Sequence, residues 1–511
     1  MNDRIWTGEI NRDAAIDAEV GFYDTTLRDG EQAVGVVLDP EQKLEIARGL
    51  DELGIERIEA GFPRVSADDE RGFKLVLEAG LDAEIWGFSR AVPADIEALV
   101  QLGVSASVVE SPISDLKLEA LGVSRQEMLG RITRGVALAA SHGIKVAFFG
   151  VDGTRADPRF FEEVYKRAVE AGAQEAVVVD TIGVATPEAV GSLVGRTREW
   201  LGAGIPIHFH GHNDFGLATA GAVAAVRAGA HWIHGTINGM GERAGNASIG
   251  EVALTLEALY GVRTNLRFER LREVSARVRE LSGYELDPWK PVVGENLFVR
   301  ESGAVASQFH DPPSIEPYSS KLVGAERGIV LGKKSGLDSI RIKAEELGLE
   351  LDEDRQRELL AQVKAEGTAK GSDEDRAGDL VARCDPKHLS VAAVLRERSA
   401  RGCARRRARR RGCRLSLSGA TDAAGFERAR VDGDGARSVA ERAAKGSGQR
   451  APRSRRDLRV RAQGRAPHAS GAISERRGPR FVRTPRVSDR GGAPRRVPPA
   501  GRLRRPSGAG R

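Results

Sequence analysis

Apolar and polar positions fall into a regular rhythm along the first half of the chain. Short runs rich in β-branched residues, at 20–27, 55–62, 83–88, 105–110, 145–150, 175–180, 205–212 and 231–237, alternate with amphipathic stretches of helical period. The helical stretches include 40–53, 125–142, 158–171 and 187–201. Several open on a capping side chain followed by proline, as in Asp39-Pro40, Asp157-Pro158 and Thr186-Pro187, the chemistry expected at a helix start. Eight such strand–helix repeats, spaced by roughly 25 to 35 residues, predict an α/β fold in which eight parallel strands close into a (β/α)8 TIM barrel. The rival, an open doubly wound sheet, would usually place a glycine-rich phosphate loop after its first strand. That place instead reads Thr26-Leu27-Arg28-Asp29-Gly30-Glu31-Gln32.

Beyond Leu259 the rhythm breaks. One more helix is expected at 268–281, then a stretch from about 285 to 332 rich in Pro, Gly and Ser, then a helical pair at 335–349 and 352–366. A long aperiodic segment beside a compact domain reads as a lid or linker. The expected organisation is an N-terminal extension (1–19), a barrel (20–283), a linker or lid (284–332), a small helical subdomain (333–388) and an Arg-rich tail (389–511).

Composition sharpens the last boundary. The net charge of +5 averages two unlike parts: of 78 basic and 73 acidic residues, positions 391–511 hold 34 and 9, which leaves 44 and 64 before them. An acidic body of about −20 thus precedes a tail of about +25. The tail lacks apolar periodicity and is expected to be disordered. Its preferred origin is a shifted reading frame in a GC-rich gene; a genuine tail of this charge would bind nucleic acid. The three cysteines, Cys384, Cys403 and Cys413, give no disulfide framework to the body. No apolar run is long enough for a transmembrane helix and residues 1–20 have no signal-peptide core, so a reducing cytoplasm is the expected setting.

The strongest chemical signal is His208-Phe209-His210-Gly211-His212-Asn213-Asp214 at the end of the seventh strand. Side chains at i and i+2 of a strand share a face, so His210 and His212 project together at the barrel mouth, where two imidazoles suit a divalent metal. His208 shares that face at a deeper level and is read as barrel lining. A carboxylate is expected from Asp29 at the end of the first strand, with Arg28 beside it to polarise a substrate oxygen. The eighth strand ends in Asn238-Gly239-Met240-Gly241-Glu242-Arg243-Ala244-Gly245-Asn246, whose glycines allow close backbone approach and whose Asn246 offers a further oxygen.

These motifs, together with the Asp24-Thr25-Thr26 start of the first, resemble the isopropylmalate, homocitrate and citramalate synthase family, which also includes the hydroxymethylglutaryl-CoA lyases. The resemblance spans about residues 20–385, and within the family it is nearest to the nitrogen-fixation type of homocitrate synthase. Gly332-Lys333-Lys334-Ser335-Gly336 is similar to the family's motif opening its small helical subdomain. The resemblance implies Asp29, His210 and His212 as ligands of a divalent zinc, manganese or magnesium ion, with Asn246 nearby. It implies Arg28 as oxyanion stabiliser, Gln32 and Thr181 facing the substrate, and a homodimer. The implied reaction condenses acetyl-CoA with a 2-oxo acid: an enolate adds to a polarised carbonyl, and thioester hydrolysis drives the reaction forward.

Two positions depart from the family pattern. Its fifth-strand Glu-Asp-Ala-Ser/Thr-Arg reads Val151-Asp152-Gly153-Thr154-Arg155 here, and its linker motif His-Glu-Ser-Gly-Ile-His reads Arg300-Glu301-Ser302-Gly303-Ala304-Val305. The expected catalytic Glu and His are therefore valines, which carry no proton. His310, Tyr318 and Asp152 are the nearest substitutes by sequence. A metal-dependent lyase or aldolase, or a catalytically weakened barrel that binds a 2-oxo acid, are the alternatives this leaves. Arg64, Glu110, Ser111 and Arg155 are expected to face the substrate pocket, and no room remains for a leucine-responsive regulatory domain.

Overall fold

The computed structural model describes residues 4–370; the tail and all three cysteines lie outside them. Eight parallel strands close into a barrel in sequence order: β1 Gly21–Asp24, β2 Arg57–Glu59, β3 Glu84–Arg90, β4 Ala106–Pro112, β5 Lys145–Val151, β6 Glu175–Asp180, β7 Ile207–Gly211 and β8 Trp232–Gly235. Each lies within or against one of the eight expected runs. The ring shuts where β1 pairs with β8, Tyr23 against His234 and Asp24 against Gly235.

Alternation along the strands builds two cores. Tyr23, Trp86, Phe88, Val108, Ala147, Phe149, Val177 and Val179 point inward and fill the barrel. Their neighbours, such as Phe22, Val109, Phe148 and Val178, point outward under the helices, where Ile46 and Leu50 meet them. No helix among the described residues is long and apolar enough to cross a membrane.

Helix starts follow the predicted caps. Asp39 accepts from the Gln42 amide at 2.8 Å while the Gln42 side chain accepts from the Asp39 amide at 2.9 Å, a reciprocal box around Pro40. Asp157 accepts from Arg159 and Phe160, and Thr186 from Ala189. The helix Pro40–Leu53 ends at Gly54 with φ 94°, where a Cβ would stand 2.5 Å from the Asn265 carbonyl oxygen, so only glycine fits. This helix also buries a charge. Lys43 reaches Glu31 at 2.7 Å and Asp69 at 2.6 Å, which ties the turn after β1 to the first turn of helix Ala67–Leu77.

The segment after the barrel has more structure than its composition announces. The helix expected at 268–281 begins as a 3-10 turn, Phe268–Arg270, before Leu271–Ser282. Within the linker, Val299–Arg300 pairs with Gly328–Ile329 and a short helix forms at Gly303–Ala306. Ala306, Phe309, Ile329 and Leu331 share one small core with Ile340, Ile342, Leu359 and Val363 of the helices Leu337–Glu346 and Glu353–Lys370. Linker and helical pair therefore pack as a unit, because a two-helix pair alone cannot cover its apolar face.

Leu50 is fully buried, so Leu50→Ala is expected to lower stability by about 2–5 kcal/mol, against about 1 kcal/mol for Thr186→Ala at a helix cap. Urea unfolding of both variants checks the ratio; similar losses would contradict this assignment of core and cap.

Candidate metal centre and active site

Barrel closure brings three donors together at the mouth. The Asp29 Oδ2 oxygen lies 3.2 Å from His210 Nε2 and 3.6 Å from His212 Nε2, and the two Nε2 atoms are 3.3 Å apart. Ligand atoms at about 2.1 Å from a tetrahedral ion stand about 3.4 Å apart, so this triangle has the right size for one cation. All three residues are buried and form the described residues' one His/Cys/Asp/Glu group of metal-binding spacing. The loop after β8 pairs back onto β7, His212 opposite Asn246. Asn246 donates its amide to the Met240 carbonyl at 3.0 Å, leaving Oδ1 buried without a partner beside the histidines. The donor set thus fits a divalent ion, with the Asn246 oxygen offering a fourth donor. Gly245 makes this approach possible: at φ 85° a Cβ would run into the Gly239 carbonyl oxygen.

Electrostatics prepare the donors. Burial alone would push the Asp29 carboxyl up, but Arg28, His210 and His212 outweigh it and hold Asp29 ionised, well below the usual carboxylate range. His212 is pushed down to about 4 by burial and then by the neighbouring His210 imidazole, so it presents a neutral ring.

Arg28 sits over the Phe88 ring, its Cζ 4.2 Å from the centroid, its Nε 2.5 Å from Glu59 Oε2 and its Nη1 3.5 Å from Asp29. Its Nη2 is buried and unpaired among the described residues, a donor suited to a substrate oxygen. Glu59 also accepts from the Tyr23 hydroxyl at 3.1 Å. Burial raises the Glu59 carboxyl, partly offset by Arg28. Asp24, pushed up to about 7 by burial, accepts from the Thr26 amide and hydroxyl at 2.7 and 2.9 Å. The Thr26 hydroxyl in turn accepts from the Ile237 amide at 2.9 Å, which ties the β1 turn to the end of β8.

Beneath the donors the barrel axis is polar. His208 meets Glu175 at 2.6 Å and His234 at 2.9 Å, and Tyr23 stacks on His234 with ring centroids 4.1 Å apart. Arg57 closes the floor on Glu175 with two hydrogen bonds of 2.7 and 3.1 Å. The buried His208 side chain lines the barrel, at the level expected from its position two residues before His210.

The remaining expected residues lie around the mouth or away from it. Thr181 accepts from the Asp152 amide at 2.7 Å, and its carbonyl accepts from Arg243. Arg155 bonds Asp152 through Nε and Nη2 at 2.8 and 2.7 Å. Asp152 also accepts from the Ser114 hydroxyl, so its carboxylate is fully engaged. Gln32 ends a 3-10 turn with an exposed side chain. His310 is exposed with its ring against Phe309; Tyr318 packs on Phe298, pairs with Ile5, and has its hydroxyl pushed up to about 12 by burial and Glu251. Among the described residues, neither forms a hydrogen bond or ion pair with the Asp29–His210–His212 triangle. Of the four non-glycine residues in the left-handed region, Asp152 at φ 63°, Asn238 at 65° and Arg243 at 57° sit in the loops after β5 and β8, strain held beside a site, while Val292 at 69° lies in the linker.

Comparison with known proteins gives the family. Residues 19–278 match the HMGL-like family model and residues 292–371 the homocitrate synthase post-HMGL domain-like model. The chain is 45% identical over 361 residues to the homocitrate synthase AksA of Methanopyrus kandleri, covering 70% of this chain and 90% of that protein. It is 41% identical over 356 residues to the 2-isopropylmalate synthase of Methanocaldococcus jannaschii, covering 68% of each. With the (R)-citramalate synthase CimA of the same organism it shares 39% over 350 residues, 68% of this chain and 71% of that protein.

In the metal-free protein the His212 ring is expected to remain uncharged at about pH 6, where an ordinary histidine is largely protonated, and to gain its proton only near pH 4. A nuclear magnetic resonance titration reads this directly; a midpoint near the ordinary value would contradict the burial described. A closed barrel whose mouth gathers Asp29, His210, His212, Asn246 and Arg28, and matches of this length on both sides of residue 285, place the chain in the HMGL-like family of homocitrate, isopropylmalate and citramalate synthases.

Proposed function

We propose that the chain is an acyltransferase that condenses acetyl-CoA with a 2-oxo acid and hydrolyses the thioester, as a homodimer in a reducing cytoplasm. The observation that carries the reading is the Asp29–His210–His212 triangle with Arg28 beside it, in a chain 45% identical to a homocitrate synthase. Asp29, His210, His212 and Asn246 would hold the metal. Two imidazoles favour zinc, while the carboxylate and amide oxygens also suit manganese and magnesium. Bound there, the ion supplies Lewis-acid polarisation of the acceptor carbonyl.

The chain's own residues do the rest. Glu59 fixes the Arg28 guanidinium, whose unpaired Nη2 stabilises negative charge as the carbonyl oxygen becomes an alkoxide. The Thr181 oxygen already accepts from Asp152, which leaves its hydroxyl hydrogen to donate to a substrate carboxylate. Arg155 keeps Nη1 outside its bonds to Asp152 and serves as a second anion contact, with the Gln32 amide at the rim. For His310 and Tyr318 the reading keeps the places the linker gives them, beside Phe309 and Phe298, without a proton-transfer step.

The test is release of free CoA, followed with a thiol reagent, from the full chain loaded with manganese or zinc. The acceptors are 2-oxoglutarate, 2-oxoisovalerate, pyruvate and oxaloacetate. One acceptor is expected to give release that His210→Ala abolishes. Metal binding with no release from any acceptor would remove the synthase reading and favour cleavage of a hydroxy acid instead.

A further inference from the structure

A condensation that starts from a methyl thioester needs a group to take a proton from that methyl. Val151, at the mouth end of β5, cannot. The other acidic side chains around the mouth are already committed. Glu59 is held by Arg28 and Tyr23, Asp152 by Arg155 and Ser114, and Asp24 by Thr26. Asp180 accepts from the Thr154 hydroxyl at 2.7 Å and from the amides of Val184 and Ala185 at 3.1 Å, and Asp29 belongs to the metal set.

Glu110 differs from all of these. It follows Ala106 and Val108 on the inward face of β4, one step nearer the mouth. Its register partners are Arg90 on β3 and Phe149 on β5, and the Phe149 ring meets His210 at 5.1 Å between centroids. The side chain is partly buried, and no hydrogen bond or ion pair joins its carboxylate to any described residue. A carboxylate left without a partner on the inner face, beside the Phe149 ring that in turn meets His210, is placed to meet a substrate.

We propose that Glu110 is the proton carrier of this site, a role that rests on the synthase reading above. Its carboxylate takes a proton from the acetyl methyl as the C–H bond breaks, and the electron pair moves into the thioester enolate. The enolate carbon bonds to the acceptor carbonyl carbon, whose π electrons pass to oxygen. Glu110 returns its proton to that oxygen, regenerating the carboxylate, and water then cleaves the thioester to free CoA. The charged groups facing Glu110 agree with this work. Burial raises its carboxyl, Arg28, Arg90 and Lys117 pull it back, and Glu59 adds to the rise, which moves a general base toward neutral pH.

The experiment compares the full-length manganese-loaded chain with Glu110→Gln and Glu110→Asp, using the acceptor that supports CoA release. Glu110→Gln is expected to lower kcat by about 10²–10⁴-fold while KM for the acceptor stays within about threefold, and Glu110→Asp to recover part of the rate. Formate added to Glu110→Ala should restore turnover. A Glu110→Gln kcat within about fivefold of the parent overturns the assignment, since general base catalysis is worth more than that. A variant that no longer binds manganese makes Glu110 a structural residue and overturns it equally. If the parent chain itself releases no CoA, the synthase reading falls and takes this role with it, an outcome distinct from an active parent with an active glutamine variant.

Discussion

The hydrogen bonds that join β1 to β8 are the constraint on which the site depends. Asp29 and Arg28 come from the turn after the first strand, His210 and His212 from the end of the seventh, and Asn246 from the loop after the eighth. These segments meet only because the sheet returns on itself, Tyr23 beside His234 and Asp24 beside Gly235. An open sheet of the same strands would leave the carboxylate and the imidazoles on opposite edges. Closure also sets the loop geometry: the Thr26 hydroxyl binds the Ile237 amide, so the turn that carries Asp29 is fastened to the strand end that precedes Asn246.

Closure carries an electrostatic cost that the barrel meets unevenly. Toward the floor, Arg57, Glu175, His208 and His234 form a connected buried network, and such groups are tolerable only when partnered. Toward the mouth several polar atoms have no partner. Arg28 Nη2, Asn246 Oδ1 and the Nδ1 atoms of His210 and His212 are buried without partners among the described residues. Lower in the barrel His234 Nδ1 and Trp86 Nε1 are also unpaired among the described residues, but the atoms clustered around Asp29 lie at the end where a metal and a polar substrate would be received.

Much of this was legible in the chain because it rests on local periodicity. The two-residue alternation placed His208, His210 and His212 on one face, and the Asp-Pro and Thr-Pro pairs located helix starts that carry the expected caps. The parts that depend on closure were not legible. Glu59 sits in a three-residue strand, Arg57-Ile58-Glu59, with no motif around it, and only the folded barrel sets it against Arg28. His234 and Glu175 likewise look like isolated polar residues in apolar runs until β6, β7 and β8 lie side by side. The linker was opaque for another reason. Its elements are two-residue strands and single helical turns, too short to carry a period, and they are held by a core shared with helices farther along the chain.

Lys43 shows how far the site's determinants extend from its chemistry. By sequence it is one charge in the amphipathic helix Pro40–Leu53, the sort of residue assigned to solvent. In the fold it is almost wholly enclosed, and its single ammonium is shared by Glu31, two residues past Asp29, and by Asp69 at the start of the next helix. The turn bearing Asp29 and Arg28 and the segment following β2 therefore behave as one mechanical piece, pinned from behind by a residue that no substrate touches. Change in this chain is thus bounded in two places: at the mouth by what the ligand demands, and at this pin by what keeps two loops in a common register.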